Sequence, residues 1–142
     1  MADVHDKTTR SYNMSRIRSQ DTKPEMLVRR FLFANGFRYR LHVTALPGKP
    51  DIVLPLYKTV IFIHGCFWHQ HRDCQNGKVP ATNKEYWAEK LKKNVERDTK
   101  YISELAKMRW NVIIIWECEI EKNYAQTMEK LIRSVRQQTS SF

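Results

Sequence analysis

The alternation of apolar and polar positions divides the chain into seven predicted elements. They are a helix over 22–35, strands over 37–43, 51–54 and 59–63, a helix over 82–105, a strand over 110–116 and a helix from about residue 123. The order is therefore α-β-β-β-α-β-α. It indicates an α/β sandwich in which helices flank a mixed sheet, because the first three strands are joined by short turns and the fourth follows a helix.

The first two helices each begin with the sequence of a capping box. Thr22 precedes Pro24 and Glu25, and Thr82 precedes Glu85. In such a box the threonine caps the first turn and the glutamate reaches back to the threonine amide. From the residues alone, a capping role for Glu25 is favoured over a catalytic one.

Two elements carry basic faces. The strand over 37–43 alternates apolar residues with Arg38, Arg40 and His42. The middle helix turns an apolar stripe inward, formed by Trp87, Leu91, Val95, Ile102 and Leu105. Its other face carries Lys90, Lys92, Lys93, Arg97 and Lys100. That face is either solvated surface or a phosphate contact.

The hairpin formed by the second and third strands brings two reactive residues together. Asp51 stands at the start of one strand, and His64 follows the end of the next. Antiparallel pairing places these two ends side by side, so Asp51 and His64 are expected to share a site.

The composition favours a nucleic-acid partner. The length of 142 residues fits one domain over residues 1–142, and the formal net charge of +10 indicates a strongly basic surface.

An apolar run of transmembrane length and a signal peptide are both missing from the sequence, so we expect a soluble intracellular protein. Residues 1–21 read as a mobile basic arm carrying Lys7, Arg10 and Arg16, either ordering along phosphates or having no role.

The stretch from Val60 to Cys74 concentrates the candidate chemistry. Cys66, His71 and Cys74 have the spacing C-x4-H-x2-C, and Cys118 could complete a Cys3His tetrahedron for structural zinc. The alternative is that the cysteines are small buried hydrophobic residues. His64 and His69 remain for other work.

Four motifs resemble the Vsr (very short patch repair) mismatch endonucleases. They are Leu46-Pro-Gly-Lys-Pro-Asp51, His64-Gly-Cys-Phe-Trp-His69, Asn94-Val-Glu-Arg-Asp98 and Trp116-Glu-Cys118. The similarity runs from Ala2 to about Glu119. It implies the restriction-endonuclease-like fold with an αβββαβ core, which agrees with the predicted order.

The resemblance also implies an activity. Members nick DNA 5′ to the T of a T:G mispair, the lesion left when 5-methylcytosine deaminates, and need Mg2+. Asp51 and the Ile63 carbonyl would hold Mg2+, His64 and His69 would exchange protons, and Glu25 would orient them. The family's wedge into the base stack corresponds to Phe67, Trp68 and Trp87, although Trp87 alone could be ordinary helix core.

We therefore expect a monomeric, zinc-stabilised, Mg2+-dependent nicking enzyme in the bacterial cytoplasm, associated with the nucleoid and with repair proteins. Its substrate would be double-stranded DNA, with no membrane partner. Two alternatives remain open. One is a restriction-type nuclease acting on undamaged DNA, and the other is a non-catalytic zinc-containing DNA-binding module.

Overall fold

A computed structural model describes residues 21–71, 74 and 81–137 of the chain. The predicted N-terminal arm with Lys7, Arg10 and Arg16 lies outside this range, apart from residue 21. The helices are α1 (Lys23–Ala34), α2 (Lys84–Lys107), α3 (Glu117–Lys122) and α4 (Tyr124–Gln137). The strands are β1 (Arg40–Leu41), β2 (Ile52–Leu54), β3 (Thr59–His64) and β4 (Asn111–Trp116).

The four strands form one mixed sheet in the order β1-β2-β3-β4. The pairs β1–β2 and β2–β3 are antiparallel, with Ile52 opposite Ile61. Strand β4 runs parallel to β3 and pairs along its whole length, from Thr59 opposite Asn111 to His64 opposite Trp116. Helix α2 makes the crossover between them, as a parallel connection requires. The predicted α/β class and mixed sheet are confirmed.

The sheet is covered on both faces. One core joins α1 and α4 to the sheet and contains Val28, Ile52, Ile61, Met128 and Leu131. The second core lies under α2, where Leu105 packs with Val53, Val60 and Phe62. A fully buried side chain of this kind contributes about 1.5–3 kcal/mol, so these cores fix the sheet and the strand ends that carry the site. None of the described helices is long and apolar enough to cross a membrane.

Helix α1 begins largely as predicted. The Thr22 hydroxyl accepts a hydrogen bond from the Glu25 amide at 3.3 Å, and Pro24 lies in the first turn. The helix ends before Gly36, whose φ of 87° is the expected left-handed conformation. The Glu25 carboxylate, however, contacts Arg29 and His42 within the fold instead of serving mainly as a cap.

The first strand is much shorter than predicted. It includes only Arg40–Leu41, because His42 adopts a left-handed φ of 49° that a continuing strand does not allow. The alternation across residues 37–43 was therefore a sound indication of a strand but a poor guide to its length.

Helix α2 departs from prediction at its start and along its inner stripe. Its N-cap is Asn83 and not Thr82, and Asn83 makes no side-chain cap, so Glu85 lies at the second helical position and the predicted capping box does not form. Val95 was predicted to be inside but is 37% exposed.

The helix has 24 residues and is about 36 Å long, whereas the six residues of β4 span about 20 Å. The N-terminal half of α2 therefore projects beyond the sheet, towards the loop after β3.

Candidate active site

Asp51 and the end of β3 meet at one edge of the sheet. The Asp51 Oδ2 atom accepts a hydrogen bond from the Ile63 amide at 2.8 Å. Asp51 and His64 line the same cavity, which confirms that the hairpin brings them together. Burial raises the pKa of Asp51 to about 6. Because burial disfavours the ionised carboxylate, a cation beside Asp51 would be stabilising.

The turn before Asp51 is packed tightly against α2. Gly48 has a φ of 76°, and a β-carbon there would lie 2.9 Å from the Tyr101 side chain. Only glycine meets both conditions without a shift of the neighbour. This contact explains the glycine of the Leu46-to-Asp51 motif and holds Asp51 close to the α2 side chains.

Two histidines stack beside this carboxylate. The rings of His64 and His69 are nearly parallel, at 6°, with centroids 3.8 Å apart. Asp98 of α2 places Oδ2 2.5 Å from His69 Nδ1. Burial, followed by the neighbouring His69, lowers the pKa of His64 to about 3. The His64 ring is therefore neutral near pH 7.

A cavity of about 590 Å3 opens over these groups. Its lining includes Asp51, Ile63, His64, His69, Arg97 and Asp98. An adjoining groove of about 980 Å3 shares Ile63, His69 and Arg97. The groove is lined by Lys23, Lys90 and Arg97 and also by Glu117 and Glu121, so its positive side chains can attract phosphates although its charge is mixed.

Glu25 lies on the other side of Asp51, in a buried network of charges. Its side chain is 2% exposed, and Oε2 lies 3.2 Å from Arg29 Nη1 and 3.2 Å from His42 Nε2. His42 Nδ1 in turn lies 3.9 Å from Asp51 Oδ1. The His42 ring thus lies between Glu25 and Asp51, within ion-pair distance of both carboxylates.

Sequence reasoning did not assign a role to His42 or Asp98. Asp98 ends one of the recognised motifs, but only the fold shows that α2 passes close enough to His69 for this contact. His42 was counted with the basic face of a strand. The left-handed backbone that directs it to the carboxylates gives no clear sequence signal.

The four predicted zinc ligands lie together. The donor atoms of Cys66, His71, Cys74 and Cys118 are all within 4.8 Å of one another. Cys118 Sγ lies 3.3 Å from His71 Nδ1. In a tetrahedral zinc site, bonds of about 2.0–2.3 Å place neighbouring donors about 3.4–3.8 Å apart, so the cluster fits zinc with a small contraction.

Local structure explains how the distant cysteine reaches this cluster. Helix α3 begins directly after β4, where Glu119 Oε1 accepts a hydrogen bond from the Trp116 amide at 3.0 Å. Cys118 lies in the first turn of this helix. The ring of His71 stacks on Trp116 at 4.2 Å, and its amide donates to the Cys66 carbonyl at 2.9 Å.

The cluster is electrostatically suited to a cation. Burial raises the pKa of the Cys66 thiol to about 12, and burial also raises that of Cys118. The thiolates that zinc needs are therefore unfavourable without a positive charge among them. A bound divalent cation would remove this penalty, since it stabilises deprotonated thiols directly.

Three aromatic side chains form a cluster between the loop after β3 and α2. Phe67, Trp68 and Trp87 pack edge to face, with centroids 5.0 to 5.9 Å apart. All three are half-buried. Phe67 and Trp68 are only partly exposed, because they shield each other against Trp87. Trp87 is likewise not ordinary core.

Comparison with known proteins adds independent information. A family model described as DNA mismatch endonuclease Vsr matches residues 2–76. The chain is 52% identical over 137 residues to the type II nicking enzyme V.NmeAIP of Neisseria meningitidis, covering 96% of each. It is 49% identical over 131 residues to the DNA mismatch endonuclease Vsr of Escherichia coli, covering 92% of this chain and 83% of the relative. Type II nicking enzyme V.XorIIP of Xanthomonas oryzae is 42% identical over 120 residues, covering 84% and 88%.

Proposed function

Because this chain belongs to the Vsr family of DNA mismatch endonucleases, we propose that it is a Mg2+-dependent enzyme that nicks one strand of duplex DNA 5′ to the T of a T:G mispair. The whole of residues 1–142 would form one domain with a restriction-endonuclease-like core. Such an enzyme would act as a monomer at the bacterial nucleoid, with repair proteins as further partners.

One observation carries the proposal. Asp51, Ile63, His64 and His69 converge on a single cavity at the end of β3, and the adjoining groove carries Lys23, Lys90 and Arg97. A buried carboxylate beside a backbone segment and two imidazoles provides both cation ligands and proton-transfer groups. These are the groups that hydrolysis of a phosphodiester requires.

Asp51 and the Ile63 carbonyl would hold Mg2+. Both offer oxygen ligands, which this hard cation prefers, and the remaining positions would be filled by water and phosphate. When bound, the cation supplies charge stabilisation for the phosphate and a more acidic water. The Asp51–Ile63 hydrogen bond fixes one carboxylate oxygen, so the other is the natural cation ligand.

His69 would move the proton. A hydrogen bond between its Nδ1 and Asp98 selects the tautomer in which Nε2 accepts a proton from water and can return it to the leaving oxygen. Asp98 thus has the supporting role that carboxylates have behind catalytic imidazoles. His64, neutral and stacked on His69, would position that ring, and Glu25 would orient the carboxylate side of the site.

Zinc would be structural. Four protein ligands leave no open position, and they tie the loop after β3 to the start of α3. That loop carries both His69 and part of the aromatic cluster, so zinc would hold the catalytic and recognition groups in a fixed relation.

The aromatic cluster would recognise the lesion by insertion. Unstacking a base step costs a few kcal/mol and costs least at a mispair, whereas each aromatic stack returns about 1–3 kcal/mol. Phe67, Trp68 and Trp87 would leave their mutual edge-to-face contacts for contacts with bases. Lys7, Arg10 and Arg16 would contact phosphates outside this cluster.

The test compares two end-labelled duplexes that differ in one pair, T:G or C:G, in several flanking contexts with Mg2+. The expected result is one nick 5′ to the T, absent from the matched duplex and abolished by EDTA. Equal cutting of both duplexes would overturn the mismatch proposal in favour of a restriction-type nuclease. Binding without cutting in every context would favour the non-catalytic module.

A further inference from the structure

We propose that His42 is a positioning residue for the nicking reaction, joining Glu25 to Asp51 and thereby fixing how the Asp51 carboxylate meets its cation. The proposal rests on the function proposed above. It concerns a side chain to which neither the motifs nor the family comparison assigns a role.

The two ring nitrogens of His42 face different carboxylates. Nε2 lies 3.2 Å from Glu25 Oε2, and Nδ1 lies 3.9 Å from Asp51 Oδ1. The backbone adds a third connection, because the His42 amide donates to the Asp51 carbonyl at 3.1 Å. His42 is therefore hydrogen-bonded to Asp51 through its main chain, and its ring lies between the two carboxylates within ion-pair distance of each.

The backbone of His42 is adapted to this bridge. Its φ of 49° is uncommon for a residue with a β-carbon, and it ends β1 after two residues. If His42 continued the strand, the ladder with β2 would gain a residue. Outliers of this kind persist where the surrounding contacts compensate for them, and here the contacts are those with Glu25 and Asp51.

The alternative use of these side chains is a second metal site. Asp21, Glu25 and His42 place donor atoms within 4.8 Å of one another. Arg29, however, has Nη1 2.7 Å from Asp21 Oδ1 and 3.2 Å from Glu25 Oε2. A guanidinium already supplies the positive charge, and it would repel a cation in the same place. The cluster is therefore better suited to hold Glu25 than to bind metal.

The bridge acts on the cation through Asp51. The Ile63 amide holds Oδ2 by a hydrogen bond, and the His42 ring lies 3.9 Å from Oδ1, so the ring would limit the rotation of the carboxylate about that bond. Mutation of a residue that orients a metal-binding carboxylate in this way typically lowers metal affinity or activity about 10–100-fold. The His42 side chain is only 14% exposed, so its loss should not weaken DNA binding directly.

The informative variants are His42→Leu and His42→Gln. Both side chains are unbranched at the β-carbon and impose the same backbone strain, but only glutamine keeps a polar group that reaches Glu25. If His42→Leu does not fold, His42→Asn replaces it, because asparagine tolerates positive φ and is too short for Glu25. Lys58→Leu is the matched control, since Lys58 has a φ of 50° in the turn at the opposite end of β2.

The experiment measures kcat and KM on the T:G duplex over a Mg2+ series, and separately measures Mn2+ binding to the DNA-free protein by electron paramagnetic resonance. We expect His42→Leu to lower kcat about 10–100-fold with KM unchanged and to weaken Mn2+ binding. His42→Gln should recover part of both losses, and Lys58→Leu should retain wild-type values. Thermal unfolding confirms that each variant is folded.

Two results would overturn the role of His42. One is wild-type kcat and Mn2+ affinity in His42→Leu, and the other is equal impairment of His42→Leu and His42→Gln. A wild-type protein that does not nick would instead contradict the proposed function. In that case the Mn2+ affinities of the same variants still decide whether His42 positions Asp51.

Discussion

Asp51 and Ile63 are joined by a 2.8 Å hydrogen bond from the Ile63 amide to the Asp51 Oδ2 atom. The bond crosses from the start of β2 to the end of β3, beyond the last paired residues of the ladder. It fixes the carboxylate beside the backbone carbonyl with which it is proposed to hold a cation. The proposed cation site would thus be built from the hairpin itself.

Replacing Asp51 by alanine should abolish nicking and leave DNA binding intact. The carboxylate contributes to cation binding, which supplies several kcal/mol, so we expect a loss of about a thousandfold or more. Nicking of an end-labelled T:G duplex and fluorescence anisotropy of the same duplex measure the two properties. Glu129→Gln is the control, because Glu129 is an exposed carboxylate on α4. Retained nicking in Asp51→Ala would remove Asp51 from the mechanism.

Replacing Asp98 by asparagine should lower kcat with little change in KM. The amide can no longer stabilise the His69 tautomer or the protonated ring, and such partners are worth about 10–100-fold. Steady-state nicking at saturating Mg2+ measures the effect. Glu96→Gln provides a control on an exposed position of the same helix. An unchanged kcat in Asp98→Asn would show that His69 does not depend on this hydrogen bond.

The purified protein should contain one zinc per chain, and removing it should destabilise the fold. Structural zinc contributes many kcal/mol, so Cys118→Ser should lower the Tm by about 10 °C or more. Elemental analysis and calorimetry measure content and stability. All three cysteines of the chain belong to the cluster, so a thiol reagent should react only after chelation. Restoring zinc to the chelated wild type is the control, and a stable zinc-free protein would refute the site.

Replacing Trp87 by alanine should reduce discrimination between mismatched and matched DNA. The loss of one stacking side chain should weaken T:G binding by about 1–3 kcal/mol, or roughly 5- to 150-fold. Anisotropy gives the affinities, and 2-aminopurine beside the mispair reports unstacking. Trp110→Leu is the control, because Trp110 packs under Lys58 away from the cluster. Normal discrimination in Trp87→Ala would return Trp87 to a packing role.

The sequence predicted the fold well where burial decides the structure. The runs 51–54, 59–63 and 110–116 are almost wholly apolar, and each became a strand within one residue of its expected bounds. Prediction failed where backbone conformation or length decides. His42 ends β1 by a left-handed φ, and α3 is a six-residue helix without apolar periodicity. Val95 fits the helical period but lies where α2 has left the sheet.

The candidate site was predictable where one stretch carries it. Gly65 ends a buried strand, so the residues after it had to emerge at a sheet edge, and the hairpin gave Asp51 its place beside them. Contacts between distant elements were not predictable in the same way. Asp98 on α2 contacts His69, and His42 contacts Glu25 on α1. Both contacts depend on how those helices pack against the sheet. Cys118 could be named because thiol ligands are few.

Two members of the cysteine-histidine cluster, Cys66 and His71, bracket the segment that contains Phe67, Trp68 and His69. Zinc bound to both would close this segment into a ring. Recognition of the mispair and cleavage of the strand would then both depend on the bound zinc. A molecule that lost its zinc would lose the positions of the aromatic cluster and of the His69 imidazole together. It would then be inactive and would not cut matched DNA. For an enzyme that nicks DNA, loss of zinc would therefore leave mispairs unrepaired without causing cleavage at matched sites.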